Sequence, residues 1–189
     1  MSHTDINICS KALLKLGADG ITSFADGSAE AEVASNLYPL VRDSLLSSYP
    51  WSFALAQKNL SRLAEVPLAD YSYAYQLPND FLRVVSAGIG AKGRGLEYRI
   101  HENRLHTNLT EVNLTYIFRP HESTFPAFFV EALITKLASE MCIHLTESTS
   151  RAEYFAKQCE AETTKARLID SQQSTPKKFE DFTLIGARI

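Results

Sequence analysis

A chain of 189 residues is long enough for one domain with an apolar core and short for two. Hydrophobic residues make up 45% and charged residues 22%, which excludes a disordered or fibrous protein and is typical of a globular one. The formal net charge of -3 argues against a protein that binds nucleic acid tightly, because such binding relies on clustered Lys and Arg.

Two helices are predicted near the N-terminus. Residues 4–16 place apolar side chains at spacings of three and four, and Gly17 supplies a stop. Residues 28–48 repeat this spacing, with acidic residues in the first turn where they favour the positive end of the helix dipole. Pro39 lies inside this second helix and removes one backbone hydrogen bond, so we expect a kink or a short break near Tyr38.

Between residues 51 and 119 the period of the apolar residues changes to two. Several stretches alternate large apolar or aromatic side chains with small or polar ones, which is the pattern of half-buried strands. Glu102 and Asn103 stand where a hairpin would turn between two of these stretches. The middle of the chain is therefore predicted to be a small antiparallel sheet.

Helical spacing returns after Pro120. Residues 126–146 carry a broad apolar stripe, which is the strongest core signal in the chain. Residues 150–169 are predicted to form its partner helix, with Ser150 and Glu153 at the spacing of a capping box. The fold class predicted from these periods is α+β and mainly helical, a four-helix bundle with an inserted small antiparallel β-sheet.

The chain divides into a single domain over residues 1–170 and an extended C-terminal arm over residues 171–189. The arm begins with the polar composition of a linker, and apolar residues then return. We expect a segment of this kind to gain order by docking on another protein, since it can then bury its apolar side chains, and the alternative is that it packs back on its own subunit. The residues predicted to dock are Phe179, Phe182, Leu184, Ile185, Arg188 and Ile189.

Motifs for cofactors and metals are weak. Gly88, Gly90 and Gly93 match the spacing of a dinucleotide-binding loop, but the residues after them continue as strand where that motif requires a helix. His101 and His106 flank the predicted hairpin turn, and no further ligands stand at metal spacing. The pair Cys142 and His144 lacks such ligands too. Three widely spaced cysteines predict no disulfide framework, and we expect no cofactor and no metal.

Paired carboxylates leave one enzymatic alternative open. Glycoside hydrolysis needs two carboxyl groups about 5 to 10 Å apart, and Glu97, Glu102 and Glu111 lie on or near the predicted sheet. Acidic residues number 22, so coincidental pairs are common and a solvated surface is the simpler interpretation. A glycan hydrolase therefore remains the alternative function, and the first expectation is a protein that is not an enzyme.

Charged neighbours suggest ion pairs instead of catalysis. Arg42 and Asp43 adjoin each other in the second helix, and Asp80 and Arg83 stand beside a predicted turn. Each pair can form within one chain or between subunits, where it would fix register more than it would stabilise.

Three aromatic and proline-rich blocks carry a resemblance to a known family. Residues 38–43 read Tyr-Pro-Leu-Val-Arg-Asp, residues 50–54 read Pro-Trp-Ser-Phe-Ala, and residues 73–84 read Tyr-Ala-Tyr-Gln-Leu-Pro-Asn-Asp-Phe-Leu-Arg-Val. In this order the blocks resemble those of bacteriophage head-to-tail connector proteins, the group that includes tail tubular protein A. The similarity extends from the first predicted helix to the helix that ends near Leu145.

The resemblance implies a structural virion protein, and with it the enzymatic alternative becomes a tail-associated cell-wall glycan hydrolase. It implies a homo-oligomer, a twelve-subunit ring, that binds the portal protein on one side and downstream tail or nozzle proteins on the other. The genome DNA would pass through its channel without specific binding, which a net negative charge favours because it repels the DNA backbone. The location implied is the neck or tail of the virion, after assembly in the host cytoplasm.

Two further expectations concern contacts and membranes. Large aromatics dominate interface energies, so we expect Trp51, Phe53, Tyr73 and Tyr75 to lie at or beneath subunit contacts, with ordinary core as the alternative. No apolar run approaches the roughly 20 residues that cross a bilayer, and the first residues lack the layout of a signal peptide. We therefore expect no membrane span.

Overall fold

The structure, a computed structural model, describes residues 3–90 and 93–175. Over these residues the protein is α+β and mainly helical. Two α-helices precede six strands in the chain, and two α-helices follow them. The helices are α1 (Asp5–Leu16), α2 (Ala29–Ser48), α3 (Ala127–Thr146) and α4 (Thr149–Ser171). The strands are β1 (Leu55–Asn59), β2 (Tyr73–Gln76), β3 (Phe81–Gly88), β4 (Arg99–His101), β5 (Arg104–Thr107) and β6 (Asn113–Phe118).

Local chemistry sets the helix ends. The Thr4 hydroxyl caps α1 by accepting from the Asn7 N–H, and Gly17 ends the helix in the left-handed conformation that glycine adopts without strain. At α4 the predicted capping box on Ser150 is wrong. Ser148 caps this helix, because its hydroxyl accepts from the Arg151 N–H, so the N-cap lies two residues before Ser150 and the helix begins at Thr149.

α2 is continuous through Pro39. The helix runs from Ala29 to Ser48 without interruption, so the predicted short break is absent. The buried side chains of Tyr38 and Val41 stand on either side of the proline in the helical core. Their packing holds the helix together although one backbone hydrogen bond is lost.

α3 lies at the centre of the helical part. α1, α2 and α4 each pack against it, and its buried residues come from most of its circumference. Leu137 is 0% exposed, as the predicted apolar stripe requires. The arrangement of the four helices as a bundle stays a prediction.

The strands form two sheets and not the single sheet that the alternation predicted. The first sheet has the order β1-β6-β3 and the second has the order β2-β5-β4, both antiparallel. Alternation reveals which face of a strand is apolar, but it does not reveal which strands pair. The predicted hairpin turn is confirmed, because Glu102 and Asn103 join β4 to β5 with positive φ angles of 49° and 59°.

The first sheet belongs to two apolar cores. On one face of β6, Ile117 packs into the helical core. On the opposite face, Leu114 and Tyr116 pack with Tyr75 and Leu105 of the second sheet in a separate core. β6 therefore connects the helical part to the second sheet.

Among the residues 3–90 and 93–175, no helix combines the length and the apolar character needed to cross a membrane.

Candidate contact site at the junction of helices and sheets

The chain crosses between the helical part and the first sheet twice. Residues 49–54, here called the first crossing, lead from α2 into β1 through a short 3-10 turn. Residues 119–126, here called the second crossing, lead from β6 into α3. Two of the three motif blocks, residues 38–43 and 50–54, lie at this junction.

Trp51 anchors the first crossing in the helical core. Its side chain is 0% exposed, and the indole Nε1–H donates to the main-chain oxygen of Leu45 over 3.0 Å. Its ring lies 5.0 Å from the ring of Tyr49 and 5.2 Å from that of Phe129, both in edge-to-face geometry. A buried Trp contributes a large apolar area to the core, and the hydrogen bond of its N–H fixes the orientation of its ring.

Phe53 joins the two crossings to each other. Its ring centroid lies 5.9 Å from that of Phe125, at the end of the second crossing, and 4.9 Å from that of Phe129 in α3. Edge-to-face pairs at these separations contribute about 0.5–1.5 kcal/mol each beyond their burial. The two crossings are therefore held against each other by aromatic contacts.

Asp170 fixes the first crossing from the far end of the chain. This residue of the last turn of α4 is 3% exposed. Its Oδ1 accepts from the Ser52 hydroxyl at 2.7 Å, and both of its carboxylate oxygens lie within 3.1 Å of the Ser52 N–H. The hydrogen bonds satisfy a carboxylate that burial alone would penalise.

An ion-pair network fixes the second crossing to α2. Arg42 pairs with Asp43 at 2.9 Å and with Glu122 at 2.8 Å, and Arg119 pairs with Asp43 at 2.6 Å. The Tyr38 hydroxyl also donates to Glu122 over 3.1 Å. The predicted Arg42–Asp43 pair is therefore present within one chain, as part of a network of five side chains.

The network shifts the pKa values of Glu122 and Tyr38, among others. Burial raises the pKa of Glu122, but its own N–H, Arg42 and Tyr38 stabilise the carboxylate, and the pKa ends below its ordinary value. Burial, followed by the charge of Glu122, raises the pKa of Tyr38. Tyr38 therefore stays a hydrogen-bond donor to Glu122 at neutral pH.

The third motif block, residues 73–84, reaches from the second sheet to the junction. The main-chain oxygen of Asp80 accepts from the Arg119 N–H at 3.0 Å, and its carboxylate accepts from the Tyr116 hydroxyl at 3.3 Å. Arg83 is exposed on β3. Asp80 thus contacts the start of the second crossing.

The four aromatics predicted at subunit contacts occupy two kinds of position. Trp51 and Tyr75 are buried in the cores of their own chain, and the Tyr75 hydroxyl donates to the Leu109 oxygen at 2.7 Å. Phe53 and Tyr73 are half-buried. Their place at or beneath subunit contacts stays a prediction.

The weaker motifs form no assembled site in the described residues. β3 ends at Gly88, and the residues from Gly93 onward lead into β4 without a helix, so the glycine spacing lacks the structure that binds a pyrophosphate. The rings of His101 and His106 lie 5.6 Å apart, and Cys142 is buried beside Thr146. Within the described ranges, no group of three or more His, Cys, Asp or Glu side chains can hold a metal ion.

The three candidate carboxylates are all exposed. Glu102 lies in the hairpin turn, and Glu97 precedes β4. Glu111 accepts a hydrogen bond from the Asn59 side chain over 3.0 Å. None of the three carboxylates lies in an apolar pocket of the kind that prepares a general acid.

The predicted docking residues, from Phe179 to Ile189, lie outside the described residues. The description ends at Thr175, four residues after α4.

Sequence reasoning missed three residues of the junction. Asp170, Arg119 and Glu122 were not singled out, because each binds a residue far away in the chain. One local signal existed for Asp170: an acidic residue in the last turn of a helix stands at the unfavourable end of the dipole.

No family model matches this chain, and no curated protein matches its sequence.

Proposed function

We propose that the protein is a structural component of a bacteriophage virion, a head-to-tail adaptor. It forms a ring between the portal and the tail and extends the channel through which the DNA leaves. The protein assembles in the host cytoplasm and resides in the neck or tail of the virion. It acts by binding other proteins and performs no catalysis of its own.

One observation carries this proposal. Two of the three blocks on which the resemblance to connector proteins rests lie at the junction between helices and sheets, and the third reaches it through Asp80. Residues 38–43 supply three members of the ion-pair network, residues 50–54 supply the first crossing, and residues 73–84 supply the contact to Arg119. The motif residues connect the helices to the sheets, and a subunit of a ring needs its parts held in a fixed orientation.

The double fixation of the junction supports a role in assembly. A ring is defined by one fixed angle between subunits, so each subunit must hold its own parts in a fixed orientation. Here the first crossing is held by Asp170 and the second by the network around Arg42. The half-buried rings of Phe53 and Tyr73 supply aromatic surface for subunit contacts, and the buried ring of Trp51 lies 6.3 Å from that of Phe53.

The partners follow from the same proposal. The ring has twelve subunits, binds portal through Phe179, Phe182, Leu184, Ile185, Arg188 and Ile189, and binds tail or nozzle proteins on the opposite side. DNA passes through without specific binding, consistent with a formal net charge of -3 on each chain.

The direct experiment is mass measurement of the purified protein, alone and with purified portal protein. We expect a complex that contains the adaptor in a ring, at a stoichiometry that matches the portal. A chain truncated after Thr175 should remain folded and fail to bind portal. A matched control replaces residues 176–189 with a Gly-Ser sequence of equal length, and it should also fail.

Two outcomes would overturn the proposal. The first is a protein that never associates with portal at any concentration. The second is hydrolysis of peptidoglycan by the pure protein that disappears when Glu97, Glu102 or Glu111 is neutralised, which would establish the glycan hydrolase in its place.

A further inference from the structure

Two histidines share the outer face of the second sheet. Leu105 packs into the core between the sheets, so its neighbours Arg104 and His106 lie on the opposite face of β5. His101 is paired with Arg104 across the ladder, and this register places it diagonally next to His106 on the same face. The turn at Glu102 joins β4 to β5 and holds the two strands in this register.

The rings of His101 and His106 are close enough to bind one metal ion together. Their centroids lie 5.6 Å apart, with an angle of 50° between the ring planes. A metal ion lies about 2.0–2.1 Å from a ligating imidazole nitrogen, and therefore about 3.2 Å from the centroid of that ring. Two rings that share one ion can then have their centroids up to about 6.4 Å apart. The observed separation is inside this limit.

The ring nitrogens of both histidines are available to a ligand. With the residues that the structure describes, neither imidazole forms a hydrogen bond or an ion pair. The ring of Tyr71 lies 6.5 Å from that of His106 in edge-to-face geometry, and this contact favours one orientation of the imidazole. His106 is half-buried and His101 is exposed, so an ion from the solvent can reach the pair.

The cleft beside the pair favours a cation over an anion. It has a volume of about 300 Å³ and lies between the hairpin and residues 65–70. Three carboxylates line it, those of Glu65, Asp70 and Glu102. They outnumber the cations even when Arg99, opposite His106 in the ladder, is counted with Arg104. An excess of negative charge raises the local concentration of cations.

We propose that His101 and His106 bind one divalent ion of the group Zn²⁺, Ni²⁺ and Cu²⁺, for which neutral imidazole is a suitable ligand. Among the described residues no third His, Cys, Asp or Glu side chain completes a ligand group, so water fills the remaining positions. The carboxylates of the cleft act through their charge and not as ligands.

The ion would join β4 to β5 beside their turn, and an ion that binds only the folded hairpin stabilises it. Such a site binds more weakly than a structural zinc site, which has four protein ligands. Binding of the ion does not depend on the proposed role in the virion.

Isothermal titration calorimetry of the full chain with zinc chloride tests the proposal. The test variants are His101→Gln and His106→Gln, and the matched control is His144→Gln, at an exposed histidine near the end of α3. We expect one zinc ion per chain in the parent and the control. Each test variant should bind zinc at least about 10-fold more weakly, because loss of even an outer-shell partner costs metal affinity about 10–100-fold.

Proton NMR of the parent protein gives a second measurement that needs no substitution. Zinc should shift the imidazole signals of His101 and His106 and leave those of His121 and His144 unchanged. Zinc should also raise the thermal midpoint of the parent, and it should not raise that of the variant with both substitutions.

Four results would exclude the site. The first is zinc affinity equal to that of the parent in both test variants. The second is competition by Mg²⁺, which prefers oxygen ligands and would show that the carboxylates bind the ion. The third is one zinc ion for every two chains, since the ligands would then come from two copies. The fourth is a parent protein that binds no zinc at about 1 mM, the range of a very weak complex.

Discussion

Asp170 and Ser52 are 118 positions apart in the chain. The Asp170 carboxylate accepts hydrogen bonds from both the hydroxyl and the N–H of Ser52. The carboxylate lies at the negative end of the α4 dipole, an unfavourable place for a buried charge. The hydrogen bonds from Ser52 offset that cost. They connect the end of α4 to the start of the sheets.

Replacing Asp170 tests the strength of this connection. Asp170→Ala removes the charged acceptor of the hydrogen bonds from the Ser52 N–H and hydroxyl, so the free energy of unfolding should fall by about 1–3 kcal/mol. Asp170→Asn keeps one acceptor oxygen and should lose less. Urea unfolding followed by circular dichroism measures both, and equal stability of parent and Asp170→Ala would show that the pair contributes nothing.

Glu122 should make stability depend on pH in the acid range. Its pKa in the folded protein is lowered, whereas a glutamate in the unfolded chain titrates near about 4.3. A lowered pKa stabilises the folded protein at any pH above the pKa of the unfolded state. That stabilisation is lost as the pH falls through the pKa of the folded state. Glu122→Gln should therefore be destabilising at pH 7, by an amount that is constant above about pH 5 and shrinks below about pH 4.

Urea midpoints of parent and Glu122→Gln between pH 3 and pH 7 measure this difference. Glu153→Gln, at an exposed glutamate of α4, should leave the free energy of unfolding at pH 7 nearly unchanged. A Glu122→Gln difference that stays constant down to pH 3 would contradict the assigned shift.

Trp51 is predicted to act first as core. Trp51→Ala should lower the free energy of unfolding by about 3–5 kcal/mol, and Leu137→Ala, at the centre of α3, by about 2–5 kcal/mol. Circular dichroism and mass measurement on each variant separate core from contact. If Trp51→Ala keeps its stability and loses only self-association, Trp51 acts at a subunit contact instead.

The hairpin turn offers a stabilising change. Glu102 has a φ of 49°, a conformation that costs most side chains about 1–2 kcal/mol and that asparagine tolerates better. Glu102→Asn should raise the thermal midpoint by a few degrees, corresponding to about 0.5–1 kcal/mol. Glu97→Asn, outside the turn, should not raise it. A lower midpoint for Glu102→Asn would show that the carboxylate itself is needed there.

The helices could be predicted from the sequence because their signals are local. Apolar spacing and capping residues such as Thr4 act within a few positions, so the boundaries of α1 and α2 agree with prediction to about a residue. The hairpin between β4 and β5 was predicted for the same reason. Its two turn residues adjoin both strands.

The two sheets and the junction could not be predicted in this way. β1 pairs with β6, although all three strands of the second sheet lie between them in the chain. Alternation within β1 carries no information about that partner. Arg42 and Asp43 were visible as neighbours, but Glu122 lies 80 positions from Arg42 and Arg119 lies 76 positions from Asp43 in the chain. Burial of Asp170 is likewise a product of the tertiary fold.

β6 gives the molecule a property that neither core has alone. Ile117 is part of the helical core, while Leu114 and Tyr116 on the opposite face are part of the core between the sheets. Loss of either core would remove the packing from one face of β6 and expose that face to water. Heating should therefore melt helices and sheets in one cooperative transition, with the calorimetric enthalpy equal to the van't Hoff enthalpy.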